Sequence, residues 1–111
     1  MKSLIADIFA RDMAKKIQRE HVYALIDMER DYQDKKWNED TTTTKNIHTP
    51  EEWIMYMEDH LAEAKHILSR EAAQTGRPKA MECIRKVTAL GVAAMEDIDT
   101  PPRQILKRRD S

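Results

Sequence analysis

The chain has 111 residues, 35% charged and 41% hydrophobic, with two glycines, four prolines and a net charge of −1. That suffices for one domain with a modest core, and it is the balance of a helical bundle rather than of a sandwich or a disordered chain. It also argues against a general polyanion binder, so nucleic acid is not an expected partner. One cysteine, Cys83, excludes an intrachain disulfide and fits a reducing compartment. No apolar stretch is long enough for a signal peptide or a membrane span, which makes a cytoplasmic protein the expectation. Strand signals are absent, and the expected fold is all-α with three to four helices.

Residues 3–36 contain no glycine or proline. Ser3 can cap a helix there, and Ile5, Phe9, Met13 and Ile17 recur every fourth residue. Val22, Leu25, Met28 and Tyr32 continue at helical spacing. The pattern predicts one long helix, or two with a bend near Lys15 to Arg19. Its narrow first half reads as an arm that packs on another chain or folds back on its own bundle.

A polar loop over 38–49 follows. Thr49-Pro50-Glu51-Glu52 then marks a helix start, with Thr49 as N-cap, Pro50 at the first position and Glu52 closing a capping box. This second helix is predicted to run to Ala73 or Gln74 and to stop at a left-handed Gly76. Its expected buried stripe is Trp53, Met57, Leu61, Ala64 and Leu68.

Pro78 is predicted to open a third helix to Asp97, with Ala80, Ile84, Val87, Leu90, Gly91, Ala94 and Met95 on its apolar face. Asp99-Thr100-Pro101-Pro102 ends it, because a double proline cannot continue a helix. A tight turn makes helices two and three an antiparallel hairpin, with the long first helix packed across it. The division expected is an arm over 1–21, a helical domain over 22–102 and a basic tail over 103–111. The tail holds Arg103, Lys107, Arg108 and Arg109.

Three stretches together carry a resemblance: Glu29-Arg30-Asp31-Tyr32-Gln33-Asp34-Lys35-Lys36-Trp37, then Trp53 at a helix start, then a hairpin ending in Val92-Ala93-Ala94-Met95-Glu96. The arrangement resembles small MazG-like proteins of phages and bacteria, within the all-α nucleoside triphosphate pyrophosphohydrolases, over residues 22–103. The resemblance implies a MazG-like bundle and an oligomer, commonly a dimer or a dimer of dimers. In that family Glu-x-x-Glu and a later Glu-x-x-Asp hold Mg²⁺ ions that neutralise a triphosphate and activate water. Laid on this chain, those positions fall on His60, Glu63, Cys83 and Lys86. Only Glu63 keeps its acid, with Asp59 nearby.

An ammonium at Lys86 repels Mg²⁺ and suits a phosphate. Lys79 stands one heptad earlier, and Arg77 and Arg85 complete a candidate anion pocket. His60 belongs to the same ligand set, Trp37 or Tyr56 can stack on a base, and Arg103 can reach phosphate. Each has a plainer reading: the cations as solvated helix edges, the aromatics as core, and the tail as disordered. His60, Glu63 and Cys83 are also zinc-ligand types, although Cys83 alone on an apolar face reads best as core filler. Glu63-x-x-His66 matches half of a di-iron motif and reads as a surface pair.

Three functions follow. The first is a non-catalytic protein that sequesters a phosphorylated nucleotide, such as a cyclic or defence-signalling one if the source is a phage, with no cofactor. The second is a Mg²⁺-dependent pyrophosphohydrolase using Glu58, Asp59 and Glu63, with acids from elsewhere such as Glu29. The third is a helical interaction protein without a small-molecule ligand. All three expect a homo-oligomer, because Met13, Ile17, Val22 and Leu25 need cover.

Overall fold

The computed structural model describes residues 3–40 and 48–104. It holds three helices, α1 (Leu4–Asp40), α2 (Pro50–Arg70) and α3 (Ala73–Asp97). No helix among the described residues is long and apolar enough to cross a membrane. Thr41 to Thr44 and the tail cations Lys107, Arg108 and Arg109 lie outside the described residues.

α1 is one helix of 37 residues without a break at Lys15 to Arg19. Its start is capped as expected: the Ser3 hydroxyl accepts from the Ile5 N–H at 3.2 Å. The capping box on α2 is complete. Thr49 Oγ1 accepts from the Glu52 N–H at 3.2 Å, and Glu52 Oε1 accepts from the Thr49 N–H at 3.0 Å. Such a cap contributes about 1 kcal/mol.

The turn between α2 and α3 corrects the expectation. α2 ends at Arg70, and only Glu71 and Ala72, both extended, separate it from α3. Gly76 has no positive φ and lies in the first turns of α3. Its role is close approach: a Cβ there would stand 3.3 Å from the Glu71 Cβ. Pro78 sits inside α3 rather than opening it. The proline removes one bond to the Gln74 carbonyl at an exposed site, and the helix continues through it. The Ala72 carbonyl holds the new helix start, accepting from the N–H groups of Thr75 and Gly76.

The hairpin is antiparallel. Trp53, early in α2, packs with Leu90 and Ala93, late in α3, while Ala64 packs with Ala80 and Cys83. Small residues let the helices approach closely there. The α2 seam runs through Trp53, Met57, His60, Ala64 and Ile67, so the predicted Leu61 and Leu68 turn outward and are exposed. On α3, Ile84 and Met95 are likewise exposed. α2 takes most of its cover from α3, with Trp37 of α1 joining only at the Trp53 end, so only a narrow seam of α2 is buried.

α1 packs on α3, but not through its apolar row. Ile26, Glu29, Arg30 and Gln33 are the buried residues, and Trp37 adds to the cluster around Trp53. Ile5, Phe9, Met13, Ile17, Val22, Leu25, Met28 and Tyr32 are all exposed. Ile26 is the first buried residue along the helix, so the N-terminal half extends beyond the bundle without cover from the other described residues. The radius of gyration is accordingly 19.2 Å, against about 13 Å for a compact chain of this size.

Candidate functional site

Two constructions concentrate the polar and aromatic side chains. The first is the seam between α1 and α3. Arg30 donates through Nε and Nη2 to the two carboxylate oxygens of Glu96, each at 2.9 Å. Its Nη1 lies 2.9 Å from Asp34 Oδ1, an ion pair by distance without hydrogen-bond alignment. The guanidinium also stands over the Trp37 ring, 5.7 Å from its centroid. The hydrogen bond from Arg30 holds the Glu96 carboxyl below its ordinary range, and the bond to Glu96 raises Arg30 despite burial.

Along the same seam Arg85 Nε donates to Glu29 Oε1 at 2.7 Å. Gln33 Nε2 donates to the Lys86 carbonyl at 3.3 Å, while its buried Oε1 has no partner among the described residues. A buried amide oxygen left unpaired costs stability, so the seam specifies register more than it adds adhesion.

The second construction is an aromatic group at the start of α2. Trp53 meets His48 and Tyr56 edge-on at 5.1 and 6.1 Å, and Trp37 at 6.1 Å with a tilt. His48 also meets Tyr56 at 5.4 Å. His48 and Trp53 occupy the N′ and N4 positions, where a hydrophobic staple fixes the entry of the chain into a helix. Asp97 Oδ2 accepts from Trp53 Nε1 at 3.0 Å and from the His48 N–H at 3.2 Å, tying the end of α3 to the start of α2. The Glu52 carboxyl is held down by the Thr49 N–H and then by the His48 side chain.

The cations of the proposed anion pocket fall into different surroundings. Lys79 Nζ reaches Glu71 Oε1 at 2.8 Å across the turn, and this bond lowers the Glu71 carboxyl. Arg85 is taken by Glu29 on α1. Lys86 is half-buried and Arg77 and Arg103 are exposed, none of them in an ion pair among the described residues. Trp37 is half-buried and Tyr56 lies at the exposed rim of the aromatic group.

The metal positions do not form a donor set. Asp59 and Glu63 are exposed, and His60 Nδ1 stands 3.9 Å from Glu63 Oε2. Cys83 is buried between Ala64 and Ala80, which is the core role read for it. Among the described residues no three His, Cys, Asp or Glu side chains gather as metal ligands. The described residues therefore do not fit the Mg²⁺ pair of the proteins that the sequence resembles.

In the sequence Arg30, Gln33 and Glu96 stand only within the stretches that carry the resemblance, Asp97 only as a helix end, and none of them, nor His48, has a site role there. The N′ position of His48 before a strong capping box was a usable signal. The partners of Arg30 and Trp53 were not, because they lie 66 and 44 residues away.

No family model matches this sequence, and comparison with curated proteins and with solved structures finds no match.

Proposed function

We propose that the protein is a non-catalytic helical binding protein that works as a homo-oligomer, the assembly completing a core that one chain leaves open. One observation carries this reading. Ile5, Phe9, Met13, Ile17, Met28 and Tyr32 are exposed along a single helix whose N-terminal half buries no side chain among the described residues. Isolated apolar side chains on a surface are ordinary, but large apolar residues recurring at helical spacing from Ile5 to Ile17, and again at Met28 and Tyr32, mark an interaction surface. Sedimentation equilibrium at micromolar concentration tests it. A defined oligomer is the expected result, and a monomer throughout would overturn the reading.

A second reading supplies the ligand: a phosphorylated nucleotide, sequestered rather than hydrolysed. Lys86 favours it. The residue is half-buried, stands outside every ion pair among the described residues, and matches a position where the MazG-like proteins that the sequence resembles keep an acid. Arg77 is also unpaired among the described residues and adds a second cation on α3. A defence-signalling nucleotide of a phage-infected cell belongs to this class of ligand. The test is a thermal-shift series of nucleoside triphosphates and cyclic nucleotides, with and without Mg²⁺. Stabilisation without Mg²⁺ that Lys86→Ala abolishes is expected, since a ligand above its dissociation constant raises the midpoint. Absence of any shift would remove the nucleotide and leave the oligomer standing.

A further inference from the structure

We propose that the outer flank of α2 is a self-association surface, on which a second copy of the chain lays its own α2 antiparallel, with the twofold axis beside Leu61. This rests on the homo-oligomer reading and adds an interface which that reading does not name. The first argument is geometric. Trp53, Met57, Ala64 and Ile67 take one face of α2 into the seam with α3. About a quarter of the way round the helix, Ile54, Glu58, Leu61, Lys65 and Leu68 form one unbroken row. All five are exposed, the three apolar ones by 51%, 42% and 50%. Those three recur at every seventh residue, the spacing of a helix that packs along its length against another helix.

α3 broadens the surface. Trp53 packs beside Leu90 and Ala93, and Ala64 beside Ala80 and Cys83, which brings Leu61 level with Ile84. Ile84 is 43% exposed and lies on the same side of the hairpin as the row. α1 holds the other side of α3, through Arg85 and Glu96, and leaves this side open.

Charge selects the molecule and its direction. Glu58 and Lys65 stand on the same edge of the row, three residues before Leu61 and four after it. Both are exposed, and neither enters an ion pair among the described residues. Reversed about Leu61, the row reproduces itself in shape and complements itself in charge. Ile54 meets the partner's Leu68, Leu61 meets the partner's Leu61, and Glu58 meets the partner's Lys65, twice. The same axis brings Ile84 to the partner's Ile84. A parallel pair would set Glu58 on Glu58 and Lys65 on Lys65, which is destabilising. A surface that is its own complement under a twofold rotation is what an isologous contact requires, so the occupant is a second copy.

Charge reversal tests the pairing. Glu58→Lys is expected to weaken self-association about tenfold in sedimentation, and Lys65→Glu in the same chain to restore it. An unchanged oligomer in Glu58→Lys, or failure of the restoration, would overturn the inference while the oligomer stands. Cysteine variants test the direction independently. Ile54→Cys and Leu68→Cys are both exposed changes, and buried Cys83 does not compete under mild oxidation. Co-expressed and oxidised, they are expected to give mainly the mixed 54–68 product. Dominant 54–54 and 68–68 products would mean a parallel pair, and an oligomer without any of these products would place the interface elsewhere. Either result overturns the inference. A monomer in sedimentation of the unsubstituted protein would remove both the inference and the reading beneath it.

Discussion

Arg30 on α1 and Glu96 at the end of α3 face each other fork to fork, with two hydrogen bonds of 2.9 Å each. The pair is asymmetric: the Arg30 side chain is 9% exposed and that of Glu96 55%. Removing Glu96 therefore leaves a buried guanidinium with Asp34 alone, whereas removing Arg30 leaves a carboxylate that water can serve. Glu96→Ala is expected to cost about 2 kcal/mol of unfolding free energy through the stranded cation. Arg30→Met, which also keeps the packing of the stem, should cost less. Urea denaturation of both variants checks the order.

Acid should loosen the same contact. The Glu96 carboxyl is held below its ordinary value of 4.5 by Arg30, and Glu71 and Glu52 are lowered as well, by Lys79 and by the Thr49 N–H. In the unfolded chain these groups take protons near 4.5, while the native ones resist. Their contribution is present above that value and lost as pH falls through it toward the native values. The melting temperature is expected to decline below pH 5, with a shallower decline in Glu96→Gln. A profile identical to that of the unsubstituted protein would show that the exposed carboxylate contributes nothing.

The two glycines should respond with opposite signs. A Cβ at Gly91 meets nothing within 4 Å, so Gly91→Ala is expected to stabilise the chain by about 0.5–1 kcal/mol through helix propensity. At Gly76 the same methyl presses on Glu71 Cβ at 3.3 Å, next to a backbone held by its bond to the Ile67 carbonyl. There the strain offsets the propensity, and Gly76→Ala is expected to be neutral or destabilising. Thermal melts of the two variants decide it.

Asp97 is expected to matter beyond its exposure. One oxygen holds both the Trp53 indole and the His48 N–H. Asp97→Ala strands the indole N–H at the rim of the core, at a cost of about 1–2 kcal/mol. Trp53→Phe removes that donor while keeping much of the ring, so the double variant should lose little more than the dearer single change. Additive losses would show that the two side chains are not coupled.

The sequence made the capping box on Thr49, the end of α3 at Asp97 and the all-helical class legible, because each rests on neighbours within four residues. The turn was hidden by decoys. Gly76 and Pro78 look like a stop and a start, yet the chain turns at Glu71 and Ala72, which carry no turn signal. The docked face of α1 was hidden for a different reason. Periodicity reveals which face is apolar but not which neighbour covers it, and α1 meets α3 through Glu29, Arg30 and Gln33. For the candidate site, Cys83 read correctly as core. The anion pocket could not be judged, since Arg85 and Lys79 meet acids 56 and 8 residues away.

The two-residue link between α2 and α3 also sets an order of events. Contacts within that hairpin close a short stretch of chain, whereas Arg30 reaches Glu96 across 66 residues. Loop closure is the slower and costlier step. The hairpin is therefore expected to form first and α1 to join it late, through a seam that is polar rather than greasy. A nascent chain would thus carry α1 undocked for a time, free to find its own hairpin or that of a neighbour, and protein concentration during synthesis would govern which it finds.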